Sequence, residues 1–346
     1  MLIKESHIDV PTKADGVEGS MRIFLFHPSI PGYPNAKFPG VALFSEIYQV
    51  TGPVARFARS IASAGYIVAA PSSYHDFVPS DPLAYDVPGT DLGNELKIKK
   101  TLESYDADST ATIDALLALP TCTGRIGATG MCLGGHLAIR CALDPRVSAA
   151  VAYFATDVHS ATLGAGKSDD TLKRFKEIKG ELVCIHGTLD THVPPEGRDK
   201  IRLALREAGV VFSWYEVAGA QHAFIRDELS KGRYDASVTR VCWGMLEEVF
   251  GRVLRTDLGE RVDDGGKVEH VLDKIDLLDS NNEQVDSGHV NKDRTGDKGK
   301  EKDGQDEETD SPSPLLLITV TVTTTAIVIA AVTATCRSYL HPRQVV

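Results

Sequence analysis

An α/β fold, with a mostly parallel, doubly wound sheet flanked by helices, is the class that this 346-residue chain predicts, followed by a disordered tether and a carboxyl-terminal transmembrane helix. Three observations carry that expectation. Between residues 22 and 254, short β-rich runs alternate with helical stretches. Residues 255–313 contain no Phe, Trp or Tyr. Residues 315–336 then run for 22 positions without a charge or a proline.

Taken in order, strands are expected at 22–26, 41–44, 66–70, 126–130, 149–154, 182–186 and 212–217. Most of these runs are apolar throughout, as strands buried on both faces of a parallel sheet must be. Amphipathic helical stretches lie at 54–64, 104–119, 135–143, 197–208 and 236–254. Pro53 suits the start of the first of these helices, and Gly65 its end. One domain, 1–254, absorbs all of these elements.

The tether, 255–313, holds 18 Asp and Glu against 9 Lys and Arg, a net of −9 of the chain's −11. With Arg337 and Arg343 the only charges beyond it, residues 1–254 are left with −4. So little apolar surface cannot offset the entropy of ordering, and disorder is expected, with a short helix near 268–278 as the exception. The span, 314–336, has the roughly 20 residues that cross a hydrocarbon core. Its seven threonines lower its hydropathy, but their hydroxyls can bond back to helix carbonyls. A short basic tail, 337–346, follows.

These patterns also exclude function classes. No basic cluster offers a footprint for nucleic acid. The six cysteines include no CxxC pair, and no Cys/His spacing suits zinc, so no metal and no cofactor is implied. The amino terminus lacks the apolar core of a secretory signal. The expected setting is a membrane protein whose main domain faces the cytosol.

The sharpest chemical feature is Gly130-Met131-Cys132-Leu133-Gly134-Gly135, between an apolar strand and a helix. A nucleophile on so tight a turn needs small neighbours, and the helix N-terminus favours a thiolate there. Asp190 follows the strand at 182–186 by a short loop, and His222 follows the strand at 212–217. All three stand at carboxyl ends of strands, in the order nucleophile, acid, histidine. A histidine can shuttle the proton of attack and departure while the aspartate holds its tautomer.

With these segments the chain resembles the dienelactone hydrolase (carboxymethylenebutenolidase) family of α/β-hydrolases, over roughly residues 20–252. The carrying segments are Ser45-Glu46-Ile47-Tyr48, the run 65–71, the elbow, the loop around Asp190 and Gly219-Ala220-Gln221-His222-Ala223-Phe224-Ile225-Arg226. The resemblance implies a Cys132–Asp190–His222 triad that opens small-molecule esters or lactones through an acyl-thioester. It implies that Glu46 interacts with the resting thiol, and that the Ile47 and Leu133 amides form the oxyanion hole. It also implies that Arg226 holds an anionic group of the substrate. The chain departs from the founding members where they carry a second arginine and a tyrosine. Glu95 and Lys99 stand there, which leaves open whether Lys97, Lys99 or Lys100 substitutes for the arginine. A non-catalytic, membrane-tethered module of the same fold is the alternative. The complete set of site positions favours the enzyme.

Overall fold

The computed structural model describes residues 1–14 and 17–255. Its strands are β1 (Leu2–Ala14), β2 (Val17–Ser29), β3 (Phe38–Phe44), β4 (Ile67–Pro71), β5 (Cys122–Met131), β6 (Val147–Tyr153), β7 (Glu181–Gly187) and β8 (Phe212–Val217). The helices are α1 (Gly52–Ser63), α2 (Val87–Lys99), α3 (Leu102–Leu117), α4 (Leu133–Cys141), the single turn α5 (Thr171–Arg174), α6 (Pro195–Glu207) and α7 (Ala236–Phe250).

The eight strands form one sheet in the order β1-β2-β4-β3-β5-β6-β7-β8. Only β2 runs against the other strands, pairing antiparallel with β1 on one side and β4 on the other. Period-two alternation divides each central strand between two cores. In β3, Val41 and Leu43 face the layer of α1 and α7, with Val54, Ile61, Leu246 and Phe250. Ala42 and Phe44 face the opposite layer, with Ile113 and Leu116 of α3 and Leu137 of α4. The sheet is thus covered on both faces, which is why β3 and β4 are buried from end to end.

Every strand and helix expected between residues 22 and 254 is present, with ends moved by a few residues. Three further elements are not foreseen by periodicity: β1, α2 and the single turn α5. Strand β1 is largely exposed, so it has no apolar face to betray it. Its pairing with β2 runs from Leu2 opposite Ser29 to Ala14 opposite Val17. Helix α2 starts on Asp86, whose side chain accepts from Gly89 N at 2.8 Å, with Pro88 in its first turn.

The tether at 255–313, the helix at 268–278, the span at 314–336 and the basic tail lie outside the described residues, except for Arg255. Among the described residues no helix is long and apolar enough to cross a membrane.

Candidate active site

The elbow is where the fold is tightest. Cys132 sits between β5 and α4 at φ 60° and ψ −119°, a left-handed φ that a non-glycine residue occupies only under constraint. Its neighbours explain the constraint. A Cβ on Gly130 would lie 2.2 Å from the Gly134 carbonyl oxygen, and one on Gly134 would lie 2.0 Å from the Phe44 carbonyl oxygen. The turn is stitched to the end of β6, with Cys132 N donating to Tyr153 O at 3.1 Å and Thr156 N to Cys132 O at 3.3 Å. Cys132 is half-buried, whereas the other four described cysteines are buried. Burial pushes the Cys184 thiol up to about 12 and Cys242 up to about 11, which leaves both inert at neutral pH.

Strand order supplies the partners. The carboxyl ends of β5, β6, β7 and β8 lie side by side, so the loops after β7 and β8 meet in front of the elbow. There His222 Nδ1 lies 2.9 Å from Asp190 Oδ2, while Asp190 Oδ1 accepts from His192 N at 2.8 Å. Burial raises the Asp190 pKa, but the His222 hydrogen bond and charge outweigh it and hold the carboxyl below its ordinary range. Burial likewise pulls the His222 pKa down. Cys132, and after it the Asp190 hydrogen bond, push harder and raise it to about 10. His222 Nε2 is buried and makes no hydrogen bond of full distance and angle. The ring is clamped between Phe154, edge-on at 5.0 Å, and His192 at 4.2 Å.

A cleft of about 320 Å³ opens at this point. Glu46, Ile47, Cys132, His222 and Arg226 all line it. Asp190 stands behind His222, and the Leu133 side chain is buried, leaving its first-turn amide at the N-terminus of α4. The Ile47 N–H donates to no main-chain acceptor among the described residues. Glu46 Oε2 accepts from Tyr85 Oη at 3.0 Å, and its other oxygen lies 3.5 Å from the Arg226 guanidinium. Arg226 in turn stacks on the Tyr85 ring at 4.4 Å. Among the described residues no group of His, Cys, Asp or Glu is arranged to hold a metal ion.

Helix α2 separates the three lysines by position. A Cβ on Gly93 would lie 2.5 Å from the Ile47 carbonyl oxygen, so only glycine lets the helix close onto that loop. Thr90, Asn94 and Lys97, on one helical face, then reach the cleft. Of Lys97, Lys99 and Lys100, only Lys97 lines the cleft, 3.0 Å from Asp157. Lys99 lies over the Phe77 ring outside it, and Lys100 is buried between Asp76 and Asp108. Glu95 is exposed on α2 and does not line the cleft.

Sequence reasoning misses Tyr85, His159 and His192, which line the cleft from three separate loops. His192 alone leaves a trace, two residues beyond Asp190 in the same strand-end loop.

A profile of the dienelactone hydrolase family matches residues 24–254. A Saccharomyces cerevisiae protein named "Putative carboxymethylenebutenolidase" is 56% identical over 275 residues, which cover 78% of this chain and all of that one. Among solved structures, a "Putative Dienelactone Hydrolase" from Klebsiella pneumoniae superposes with TM-score 0.58 at 21% identity, over 71% of this chain and 99% of its own. A dienelactone hydrolase-like promiscuous phosphotriesterase from metagenomic libraries gives 0.57 at 19% identity, over 72% and 98%.

Proposed function

The chain belongs to the dienelactone hydrolase family, and on that premise we propose that it hydrolyses small-molecule esters or lactones with Cys132 as nucleophile. One observation carries the reading. His222, hydrogen-bonded to a buried aspartate at 2.9 Å, shares a cleft with a cysteine held at φ 60° on a strand-to-helix turn.

In the first step the Cys132 thiolate attacks the carbonyl carbon, and an S–C bond forms as the carbonyl π electrons move onto oxygen. The oxyanion sits against the Leu133 and Ile47 amides, donors of a kind worth roughly 10²–10³ in turnover. The C–O bond of the ester or lactone then breaks, and His222 gives its proton to the departing oxygen. Neutral His222 next takes a proton from water, whose oxygen attacks the acyl-thioester carbon, and the sulfur leaves. Asp190 keeps the imidazole in one tautomer and supports its cationic form. Glu46 is the carboxylate that the resting thiol meets. A carboxylate on the substrate would compete with it for Arg226, which already faces Glu46 at 3.5 Å. The test is direct: the purified chain should turn over p-nitrophenyl acetate and simple lactones, and Cys132→Ala or His222→Ala should abolish it without loss of fold. Near wild-type turnover in Cys132→Ala removes the mechanism.

We also propose a tail-anchored arrangement, with the hydrolase domain facing the cytosol and residues 314–336 as the single span. The uncharged 22-residue run supports it. Full-length protein should resist alkaline carbonate extraction, and a chain ending at Ser313 should be released. Complete release of the full-length protein rules the anchor out.

A further inference from the structure

Four cationic side chains line the active cleft: Lys97, Arg226, Lys231 and Arg233. Two of them are answered by carboxylates of other walls. Lys97 meets Asp157 at 3.0 Å, and Arg226 meets Glu46 at 3.5 Å. Lys231 and Arg233 have no carboxylate within ion-pair distance among the described residues. Composition does not account for them, because the hydrolase domain is acidic overall.

The backbone is bent to place them there. Leu229 has φ 48°, Lys231 φ 54° and Gly232 φ 78°, three left-handed residues within four positions. A left-handed residue with a side chain is held by its surroundings, and here the holding contacts are visible. Ser230 is turned inward and buried. Its carbonyl accepts from Arg233 N at 3.2 Å and Arg233 Nε at 3.0 Å, and its hydroxyl accepts from Tyr234 N at 3.2 Å. Pinning Ser230 inward presents Lys231 and the remaining guanidinium nitrogens of Arg233 to the cleft. The Arg233 charge reaches His192, the neighbour of His222. Burial, then His222, and also Arg233 and Lys97 depress the His192 pKa, opposed by Asp190. Lys231 and Arg233 thus stand at the cleft without a matching carboxylate among the described residues.

We propose that Lys231 and Arg233 form a second anion site, which binds an anionic substituent of the substrate separate from the group that faces Arg226. The substrate class is therefore an ester or lactone bearing two anionic groups, each a carboxylate or a phosphate-type oxyanion. A guanidinium presents paired N–H donors to such a group, and a lysine adds a point charge. The substrate identity rests on the hydrolase reading above, whereas the site itself rests on the cleft geometry.

The test is calorimetric titration of the full-length protein with butyrate, succinate, glutarate, adipate and 3-phosphonopropionate at low ionic strength. Exposed ion contacts are worth a few-fold each, so at least one dianion should bind about tenfold more tightly than butyrate. That advantage should shrink in high salt. In the Lys231→Gln/Arg233→Gln double variant it should fall below about threefold, with native circular dichroism. Tightest binding of 3-phosphonopropionate selects a phosphate-type group, and tightest binding of a dicarboxylate selects a carboxylate. The inference is overturned if no dianion exceeds butyrate by about threefold, or if the double variant keeps the full advantage. Absence of p-nitrophenyl acetate turnover in the wild type would bring down the hydrolase reading instead and leave the binding result standing.

Discussion

Two arginines of this domain are buried to nearly the same degree, Arg140 on the elbow helix α4 and Arg226 in the loop after β8, at 3% and 6% exposure. Their surroundings differ completely. Arg140 Nε and Nη2 fork onto Asp106 at 2.9 and 2.8 Å, while Nη1 reaches Asp169, Asp170 and Thr171 at 3.1, 2.8 and 2.8 Å. All three of its nitrogens are used. Arg226 has a buried Nε without a partner, a 3.4 Å contact from Nη2 to the Leu229 carbonyl and a 3.5 Å pairing with Glu46. Burial alone therefore does not separate a charge whose donors the protein fills from one whose donors stay open. An unfilled buried donor costs free energy that only a ligand or water can return. His222 Nε2 falls on the open side by the same criterion.

The comparison can be broken at several points. The largest expected effect belongs to the open side: Cys132→Ala should lower kcat by about 10⁴ or more, with the Cys132→Ala/His222→Ala pair scarcely worse, because triad members act as a unit. Steady-state kinetics on an activated ester measures it. An additive double-variant effect would mean that the two residues work apart.

On the closed side, Arg140→Ala strands the buried Asp169 and should destabilise the domain by roughly 3–5 kcal/mol, read from the urea unfolding midpoint. Arg226→Ala should cost less than about 1 kcal/mol in the same experiment, because its bonds are long. Equal losses would erase the distinction between the two arginines.

In kinetics the order should reverse. Arg226→Ala is expected to raise KM for a carboxylated ester about tenfold and to change KM for a neutral ester far less. The same loss on both substrates would assign Arg226 to the frame.

The smallest effect is a titration. His222 is raised to about 10 in part by Cys132, so in Cys132→Ser its imidazolium should lose its proton at lower pH, observable by NMR of the ring. The sign follows from linkage. A histidine raised above its ordinary 6.5 stabilises the fold fully below that value, and the contribution fades as pH rises through about 10. The difference in stability between wild type and Cys132→Ser should narrow across that window. A constant difference from pH 6 to 10 would place its origin outside the His222 charge.

By itself the sequence determined the parts of this protein whose causes are local. The apolar runs of β3 to β7 announce a sheet covered on both faces. Gly130 and Gly134 announce the elbow, because no side chain fits beside the backbone oxygens there. Asp190 and His222 are legible because each directly follows a strand whose carboxyl end must lie at the same edge. Tertiary structure alone decided the walls of the cleft. Tyr85 and Lys97, His159, and Arg233 come from three segments far apart in the chain. Helix α2 carries no continuous apolar stripe, and it reaches the cleft only because Gly93 closes onto the Ile47 backbone. Which of Lys97 and Lys99 lines the cleft turns on helical phase relative to that single contact, since residues on a helix step by about 100° around its axis. Local pattern encodes which face of an element is buried, whereas the neighbour across a cleft is set by the packing of whole elements.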